Sequence, residues 1–309
     1  MPSQKPRITI KTTVSIIGAG RLGTALGIAL ASQGFSIEAF VARRLSHAQK
    51  AWRACGRQGI PLSAQQLAKL PPSRILLITT PDDAIEPVAR NLASAQKGMP
   101  NGRTVLHTSG ALSSESLKPL KDIGFHTGSL HPLASVSDPI LGAASLRGAY
   151  FCIEGEPVAV AIANHIVRDL GGHGFFIEPD HKALYHAAAV MASGDMTALL
   201  DIAIEMLKRC GLSGVSARRV LIPLVVSAVR NLSTMDPARA LTGTFARGDV
   251  ATVRRHLTAI EKEHLPEALA AYVLLGGRSL SLVKRLKGSP KTSAQISKLL
   301  QRADKVTSK

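Results

Sequence analysis

Three glycines near the start of the chain, Gly18, Gly20 and Gly23, constrain its fold more than any other feature. They follow a short β-rich apolar run, Thr13–Ile17, and open a helical pattern over Leu22–Ser32. In a GxGxxG turn, the first glycine permits a tight turn, the second lets the backbone approach a pyrophosphate, and the third lets helix and strand pack closely. The phosphates then meet free N–H groups at the helix N-terminus. A strand, a glycine turn and a helix in this order predict a dinucleotide-binding site.

The first half of the chain alternates short apolar runs with helical patterns, as a parallel sheet requires. After the first strand, the predicted strands are Ser36–Val41, Arg74–Thr79, Thr104–Thr108, Phe125–Leu130, Ala149–Ile153 and Gly174–Ile177. Helical spacing covers about Ser46–Cys55 and Asp82–Ala95. The predicted fold class is therefore α/β, with a doubly wound, mostly parallel Rossmann sheet over residues 13–178 after a flexible leader of residues 1–12.

The pattern changes near Asp180, after which the chain is typical of helices alone. We predict an all-α dimerisation domain over residues 179–285 and a basic C-terminal tail over residues 286–309 with a short helix. The apolar face of that short helix comprises Ile296, Leu299, Leu300 and Ala303. The helix of Ala183–Leu207 is apolar over much of its circumference, so we expect it to be buried on several sides at a domain or subunit interface.

The formal net charge of +17 is concentrated at the C-terminal end of the chain. Residues 278–309 hold 9 Lys or Arg against a single acid, Asp304. Such a segment could contact nucleic acid, but it lacks aromatic residues for stacking and any recognisable nucleic-acid motif. We expect a solvated terminal segment rather than a nucleic-acid-binding one.

The cysteines and histidines favour neither disulfides nor a metal site. Cys55, Cys152 and Cys210 are widely spaced without CxxC, which favours reduced, buried thiols and a cytoplasmic protein. No HxxxH pair or Cys/His cluster occurs, so no metal site is predicted. No uninterrupted apolar run approaches the roughly 18 residues of a membrane span. GxSxG and the P-loop pattern are also missing from the sequence.

The residues after the second strand indicate which dinucleotide is bound. An NAD site places an acid there, but this strand ends in Ala42, Arg43 and Arg44, with Ser46 close behind. Guanidinium groups suit a 2′-phosphate, which favours NADP(H); the alternative is a solvated loop. The predicted cofactor site comprises Gly18, Ala19, Gly20, Arg21, Leu22, Gly23, Ala42, Arg43, Arg44, Ser46, Thr79, Thr80, Pro81 and Thr108. The last four residues follow other strands, whose carboxyl ends should meet the same crevice.

Several segments in a fixed order resemble a known family. The glycine turn is followed by TTPDDAI, HTSGALSS, SLHPLASV, YHAAAVMASG and LTGTFARGD. The chain thereby resembles the Rossmann-like reductases whose C-terminal half is a domain of unknown function. That family is similar to pyrroline-5-carboxylate reductase, ketopantoate reductase and prephenate dehydrogenase, in the 6-phosphogluconate dehydrogenase superfamily. The resemblance implies an NADP-type Rossmann domain, a helical dimerisation domain and an active site between them.

Two positions depart from the family pattern. Gly194 follows Ser193 where family members commonly have asparagine, and Thr244 stands where they commonly have proline. An amide that would contact the substrate is therefore missing, which puts the substrate, or the completeness of the site, in doubt.

The candidate catalytic residues are His131, His186, Ser193, Lys182 and Ser109. Histidine titrates nearest neutrality, and His131 follows a strand in a His-Pro segment similar to one that lines the active site of prephenate dehydrogenases. His186, Ser193 and Lys182 share one face of the long helix, where Lys182 could hold a substrate carboxylate. The alternatives are a turn-capping His131, a buried structural His186 and a solvated Lys182. Arg247–Asp249 could form a second anionic clamp, or Asp249 could cap the next helix.

The sequence thus predicts an NADP(H)-dependent oxidoreductase that transfers hydride to or from a C=O or C=N bond of a small, anionic metabolite. A 2-oxo acid and a cyclic imine are the two candidates by superfamily analogy. The alternative is a dinucleotide-binding sensor or scaffold without turnover, which Gly194 and the basic tail favour.

Overall fold

The structure, a computed structural model, describes residues 12–96, 102–286 and 288–307. The predicted leader lies outside the described residues except for Thr12. The chain divides into two compact units, one ending at Met191 and the other beginning at Ala192. A single long helix, Lys182–Arg209, runs through that division.

The first unit contains an eight-stranded sheet in the order β3-β2-β1-β4-β5-β6-β7-β8. The strands are β1 Thr13–Ile17, β2 Ser36–Ala42, β3 Ile60–Ser63, β4 Ile75–Ile78, β5 Thr104–His107, β6 His126–Pro132, β7 Tyr150–Gly155 and β8 His173–Phe175. All neighbours pair in parallel except β6 and β7, which are antiparallel. The predicted α/β class and the mostly parallel sheet are confirmed.

Helices cover both faces of this sheet because successive strand residues point to opposite sides. In β4, Ile75 and Leu77 enter one hydrophobic cluster, and Leu76 and Ile78 enter the other. The helices of this unit are α1 Arg21–Ser32, α2 Leu45–Ala54, α3 Asp82–Ala95, α4 Lys118–Lys121, α5 Pro139–Ser145, α6 Pro157–Asp169 and the first part of α7 Lys182–Arg209. The predicted helix over Asp82–Ala95 has the same bounds in the structure.

The short edge strand β3 was not predicted. It has only four residues, Ile60–Ser63, and contains Pro61, which cannot donate a ladder hydrogen bond. Its register with β2 is set by tertiary pairing, from Ala39 opposite Ile60 to Ala42 opposite Ser63. So short a run, interrupted by proline, carries no periodicity that would reveal a strand.

Strand order reverses beside β1, which pairs with β2 on one side and β4 on the other. The carboxyl ends of these strands leave a crevice, the position at which open α/β sheets bind ligands. Gly18–Gly20, Arg43 and Thr79–Pro81 come directly after those strands, and Ala42 is the last residue of β2.

The second unit contains only helices among its described residues. They are the remainder of α7, α8 Gly214–Thr234, α9 Pro237–Ala240, α10 Thr244–Arg247, α11 Val250–Lys262, α12 Pro266–Arg285 and α13 Pro290–Thr307. Asp249 caps α11, since its carboxylate accepts hydrogen bonds from the backbone N and hydroxyl of Thr252. The capping alternative for Asp249 is therefore the one observed.

The C-terminal helix differs from the short, solvated segment expected from its charge. Helix α13 has 18 residues, and Ile296, Leu300 and Ala303 are buried in one core with residues of α11 and α12. Its apolar face was correctly recognised, but the many basic residues obscured how firmly that face packs. Charges on the opposite face of an amphipathic helix do not prevent burial of its apolar stripe.

Helices α7 and α8 expose apolar side chains instead of burying them within the chain. Leu184 on α7 is 73% exposed and Leu224 on α8 is 67% exposed. The expectation that α7 is buried on several sides is therefore wrong for the single chain, in which its described buried residue is Lys182. By length and hydropathy alone, Pro179–Arg209 is the one helix of the described chain that could cross a membrane, a test that core helices of other proteins also pass.

Candidate functional site

A crevice of about 290 Å³ lies at the carboxyl ends of β1, β2 and β4. Eight of the predicted cofactor residues line it: Gly18, Ala19, Gly20, Ala42, Arg43, Thr79, Thr80 and Pro81. Leu67 and Val88 add an apolar wall, and His47 adds an imidazole that was not predicted. His47 follows the two arginines by three to four residues, so the same loop-to-helix reasoning could have found it.

The glycine turn has the geometry that its sequence predicts. Gly18 has a φ of 115°, in the left-handed region that favours glycine, and its carbonyl accepts a 2.6 Å hydrogen bond from the Thr79 hydroxyl. A β-carbon on Gly23 would overlap the Gly18 carbonyl, so only glycine allows α1 to approach the turn. A β-carbon on Gly20 would meet no atom within 4 Å, so space remains open beside that backbone.

Three observations show that this crevice fits a dinucleotide. Helix α1 begins at Arg21 after the N-cap Gly20, without a side-chain cap or an acidic residue in its first turn, so its first N–H groups are available to a phosphate. The Thr80 hydroxyl is buried and has no hydrogen-bond partner among the described residues. Arg43 lines the crevice beside the end of β2, where a ribose phosphate would lie.

Six predicted cofactor residues do not line the crevice. Gly23 packs against the turn, and Leu22 packs against the core. Arg44 is the N-cap of α2, and Ser46 is exposed. Thr108 is buried, with its hydroxyl donating to the Ile78 carbonyl. Arg21 lines an adjoining cavity of about 470 Å³, which shares Ala19, Gly20 and His47 with the crevice. Adjacent positions in a sequence motif can face different sides of a turn, which spacing alone does not reveal.

Two predicted histidines lie together in the first unit. The rings of His131, on β6, and His186, on α7, are edge-to-face with centroids 5.3 Å apart. The Tyr185 hydroxyl lies 2.6 Å from His131 Nδ1. We call His131, Tyr185 and His186 the histidine–tyrosine cluster. Tyr185 was not predicted, although it directly precedes His186 in the sequence.

Gly110 forms a wall of this cluster. A β-carbon there would overlap His186 Nδ1 and would lie 2.8 Å from His131 Cε1. His186 Nδ1 is buried without a hydrogen-bond partner among the described residues. The glycine therefore lets the backbone after β5 pack directly on both imidazoles, and His186 retains a polar atom that no described residue satisfies.

The surroundings keep the His131 imidazole neutral. Burial, together with nearby His186 and Lys182, lowers the pKa of His131 to about 4. Burial also raises the pKa of Tyr185 well above that of a free phenol. At neutral pH the His131–Tyr185 contact is thus a hydrogen bond between a neutral imidazole and a neutral phenol.

Ser109 and Lys182 do not occupy the positions expected of catalytic groups. The Ser109 hydroxyl accepts hydrogen bonds from the backbone N–H groups of Ala111 and Leu112, so it stabilises its own turn. The Lys182 ammonium is fully buried and donates to Ser129 Oγ and the Ser109 carbonyl. An ammonium engaged in this way does not fit the predicted contact with a substrate carboxylate.

Ser193 is an exposed residue of α7 that belongs to the second unit. It lies on the same helix as His186, as helical spacing predicted. Cys210 also differs from expectation, since it is exposed, whereas Cys55 and Cys152 are buried as predicted.

Two family models match this chain. Residues 3–132 match a Rossmann-like domain, and residues 149–279 match a domain of unknown function, DUF2520. The chain is a Rossmann-like protein with a DUF2520 domain. The family resemblance predicted from the ordered motifs is thereby confirmed.

Solved structures share this fold over most of their length. BF3122 of Bacteroides fragilis, described as a candidate NADP oxidoreductase, has a TM-score of 0.72 and 22% identity over 87% of this chain and 98% of its own. TM1727 of Thermotoga maritima has a TM-score of 0.67 and 22% identity over 89% and 99%. Pyrroline-5-carboxylate reductase of Coxiella burnetii has a TM-score of 0.56 and 14% identity over 96% and 98%. The fold is that of Rossmann-like NAD(P)-dependent oxidoreductases.

One curated relative matches part of the DUF2520 protein. Glycerol-3-phosphate dehydrogenase (NAD(P)+) of Serratia proteamaculans (strain 568) is 30% identical over 167 residues, which is 50% of this chain and 46% of that relative. The match therefore spans about half the length of the curated protein.

Proposed function

We propose that this protein is an NADP(H)-dependent oxidoreductase that transfers hydride to or from a C=O or C=N bond of a small metabolite. The observation that carries the proposal is the histidine–tyrosine cluster, in which a neutral His131 contacts Tyr185 at 2.6 Å in the same unit as the dinucleotide crevice. The solved NADP oxidoreductase-like neighbours and the NAD(P)+-dependent relative support the class of reaction.

The cofactor would be held by the crevice residues. The N–H groups at the start of α1 would bind the pyrophosphate, and Leu67 and Val88 would contact the adenine. Arg43 would pair with the 2′-phosphate, which is the reason for favouring NADP(H) over NAD(H). The nicotinamide ring, when bound, supplies or accepts the hydride.

The protein's own contribution is to manage the proton and exclude water. A neutral imidazole has one N–H donor and one acceptor nitrogen, and a Tyr185 hydroxyl that donates to His131 Nδ1 would leave the imidazole proton on Nε2. His186 Nδ1 offers a second polar contact for a carbonyl oxygen or imine nitrogen. Because the Lys182 ammonium is paired with Glu154 and donates to Ser129, binding of an anionic substrate group would need a cationic side chain other than Lys182. We would test 2-oxo acids and cyclic imines first as substrates.

The cofactor assignment is tested by fluorescence titration with NADPH and NADH. Arg43→Ser should weaken NADPH binding about tenfold and change NADH binding little, because one charge-assisted contact to the 2′-phosphate is lost. Arg44→Ser is the matched control, since the neighbouring guanidinium does not line the crevice. Tighter binding of NADH than of NADPH by the unaltered protein would overturn the NADP(H) assignment.

A sensor without turnover is the second candidate, favoured by the internal engagement of Ser109 and Lys182 and by Gly194. The two functions separate in a substrate screen that follows NADPH oxidation. An oxidoreductase should turn over at least one member and lose that activity in His131→Gln with its NADPH affinity retained. NADPH binding without turnover of any carbonyl or imine would favour the sensor.

We also propose that the protein is a homodimer whose subunits meet through α7 and α8, and we expect it to be cytoplasmic. The exposed apolar residues on these helices include Leu184, Met191, Val220 and Leu224. Light scattering should give twice the 32.6 kDa of one chain. Leu224→Glu should shift the mass toward that of the monomer, whereas Val158→Glu, an equivalent change on the exposed part of α6, should not. A monomer at micromolar concentration would contradict the proposal.

A further inference from the structure

Behind the histidine–tyrosine cluster lies an ion pair that is removed from solvent. Lys182 is 0% exposed and Glu154 is 2% exposed, with Lys182 Nζ 3.7 Å from Glu154 Oε1. A buried ion pair usually adds little net stability, because both groups lose their hydration. Its presence near His107 and His131 therefore requires a reason other than stability.

The pair is held in place at both ends by hydrogen bonds. Glu154 accepts from the Ser114 backbone N at 2.7 Å and from the Ser114 hydroxyl at 2.9 Å. Lys182 Nζ donates to Ser129 Oγ at 2.5 Å and to the Ser109 carbonyl at 3.4 Å. These contacts supply the donors and acceptors that two buried charges need, so the positive charge is confined to one position.

Lys182 is joined by these contacts to the two segments that hold His131. Ser129 lies two residues before His131 on β6, so both side chains are on the same face of the sheet. Ser109 directly precedes Gly110, which packs against the His131 and His186 rings. The ammonium is thus hydrogen-bonded to the two segments that carry and pack against the imidazole.

The groups that face His131 come from three elements. Lys182, Tyr185 and His186 lie on α7, His107 ends β5, and Cys152 and Glu154 lie on β7. Of these, Lys182 is the cation whose ammonium is fully buried and fixed, and its ion-pair partner Glu154 lies directly opposite Ser129 in the pairing of β6 with β7.

We propose that Lys182, fixed by Glu154, acts as a positioning residue that keeps the His131 imidazole uncharged and oriented toward Tyr185. A fixed positive charge opposes a second one nearby, so His131 remains a neutral donor and acceptor. Burial is the larger cause of the lowered pKa of His131, followed by His186 and then Lys182, and Lys182 also lowers the pKa of His107. The inference extends the proposed function, since it explains how the same site would hold its proton.

The test is an NMR titration of ¹³C-labelled histidines in the full-length protein, with the His131 signal assigned from His131→Gln. In Lys182→Met the pKa of His131 should rise by roughly half a unit or more, because a nearby charge is removed. Lys182→Met combined with Glu154→Gln should show a rise in the same direction while leaving no unpaired buried charge. This second variant serves if the single one does not fold, since neutral replacement of both partners is often tolerated.

Lys118→Met is the matched control, because it removes a lysine from an exposed pair with Asp122 in the same unit. It should leave the pKa of His131 unchanged. An unchanged His131 pKa in folded Lys182→Met, or in the double variant, would overturn the proposal. The titration requires neither cofactor nor turnover, so it remains decisive if no substrate is found. Conversely, the protein could turn over a substrate while the pKa of His131 is unchanged in Lys182→Met. That result would reject the ion-pair inference and leave the proposed function standing.

Discussion

Three histidines, His107, His131 and His186, have different roles because their ring nitrogens have different hydrogen-bond partners. His107 Nδ1 accepts from the Ser109 backbone N, and its Nε2 donates to the Ser113 carbonyl, so both nitrogens stabilise one turn. His131 shares one nitrogen with the Tyr185 hydroxyl. His186 Nδ1 has no partner among the described residues. Only the last two retain hydrogen-bonding capacity for a ligand, which separates structural from candidate catalytic histidines.

Tyr185→Phe removes the hydroxyl that orients His131 and keeps the ring volume. If the proposed reductase activity is correct, kcat should fall tenfold or more, a modest part of the roughly 10² to 10⁴ that positioned acid–base groups contribute. The NADPH dissociation constant should stay the same, since Tyr185 does not line the crevice. Steady-state kinetics and fluorescence titration measure the two quantities.

Tyr272→Phe is the matched control for this substitution. Its hydroxyl lies 2.8 Å from His256 Nδ1 in the second unit, so the same type of contact is lost. Equal losses of kcat in both variants, or no loss in Tyr185→Phe, would count against a role of Tyr185 in orienting His131.

At the scale of elements, the glycine turn between β1 and α1 separates requirements of folding from requirements of binding. Gly23 is needed for α1 to pack on the turn, because a side chain there would overlap the Gly18 carbonyl. Gly20 has open space beside it and a φ of −81°, which other residues also adopt. Gly23 is therefore required for folding, whereas Gly20 leaves space for binding.

Gly20→Ala should leave the melting temperature nearly unchanged and weaken NADPH binding at least about tenfold, because the methyl group takes the space that a pyrophosphate would use. Gly23→Ala should cost on the order of 2 kcal/mol of unfolding free energy, since overlap with backbone must be relieved by movement. Thermal unfolding and NADPH titration of both variants provide the comparison. Unchanged NADPH affinity in Gly20→Ala would contradict a phosphate site at this turn.

At the scale of the whole molecule, buried neutral histidines make stability depend on pH. Burial lowers the pKa of His107 to about 3, helped by Lys182, and that of His131 to about 4. In the unfolded chain both groups bind protons near pH 6.5. Below pH 6.5, His107 and His131 bind protons in the unfolded chain but stay neutral in the folded protein. The free energy of unfolding therefore decreases as the pH falls. The loss from His131 ends near pH 4 and that from His107 near pH 3.

Denaturant unfolding between pH 7 and pH 4.5 should therefore show stability falling by about 1.4 kcal/mol per pH unit for each such histidine. His131→Gln should reduce that slope by the contribution of one histidine, about 1.4 kcal/mol per pH unit. His181→Gln should leave it unchanged, because His181 is exposed. A slope that is the same in both variants would show that His131 is protonated in the folded protein over this range.

Much of the fold follows from local pattern. The strand–glycine turn–helix order, the alternation of apolar runs and the helix over Asp82–Ala95 depend on neighbours within a few residues, which a sequence displays directly. The edge strand Ile60–Ser63 and the packing of α13 depend on contacts with distant segments. The local sequence gives little indication of a four-residue strand that contains a proline, or of how firmly a highly charged helix packs.

For the site, the sequence by itself determined the glycine turn, the basic end of β2 and the two histidines, because these assignments depend only on residue type and on spacing within a short segment. Only the tertiary structure decided that Arg43 lines the crevice and Arg44 does not, and that Lys182 is paired with Glu154 inside the fold. It also brought Tyr185 to His131 across 54 positions of the chain. The physical reason is that burial and contact are properties of the whole packed chain, whereas residue type and spacing are properties of each segment.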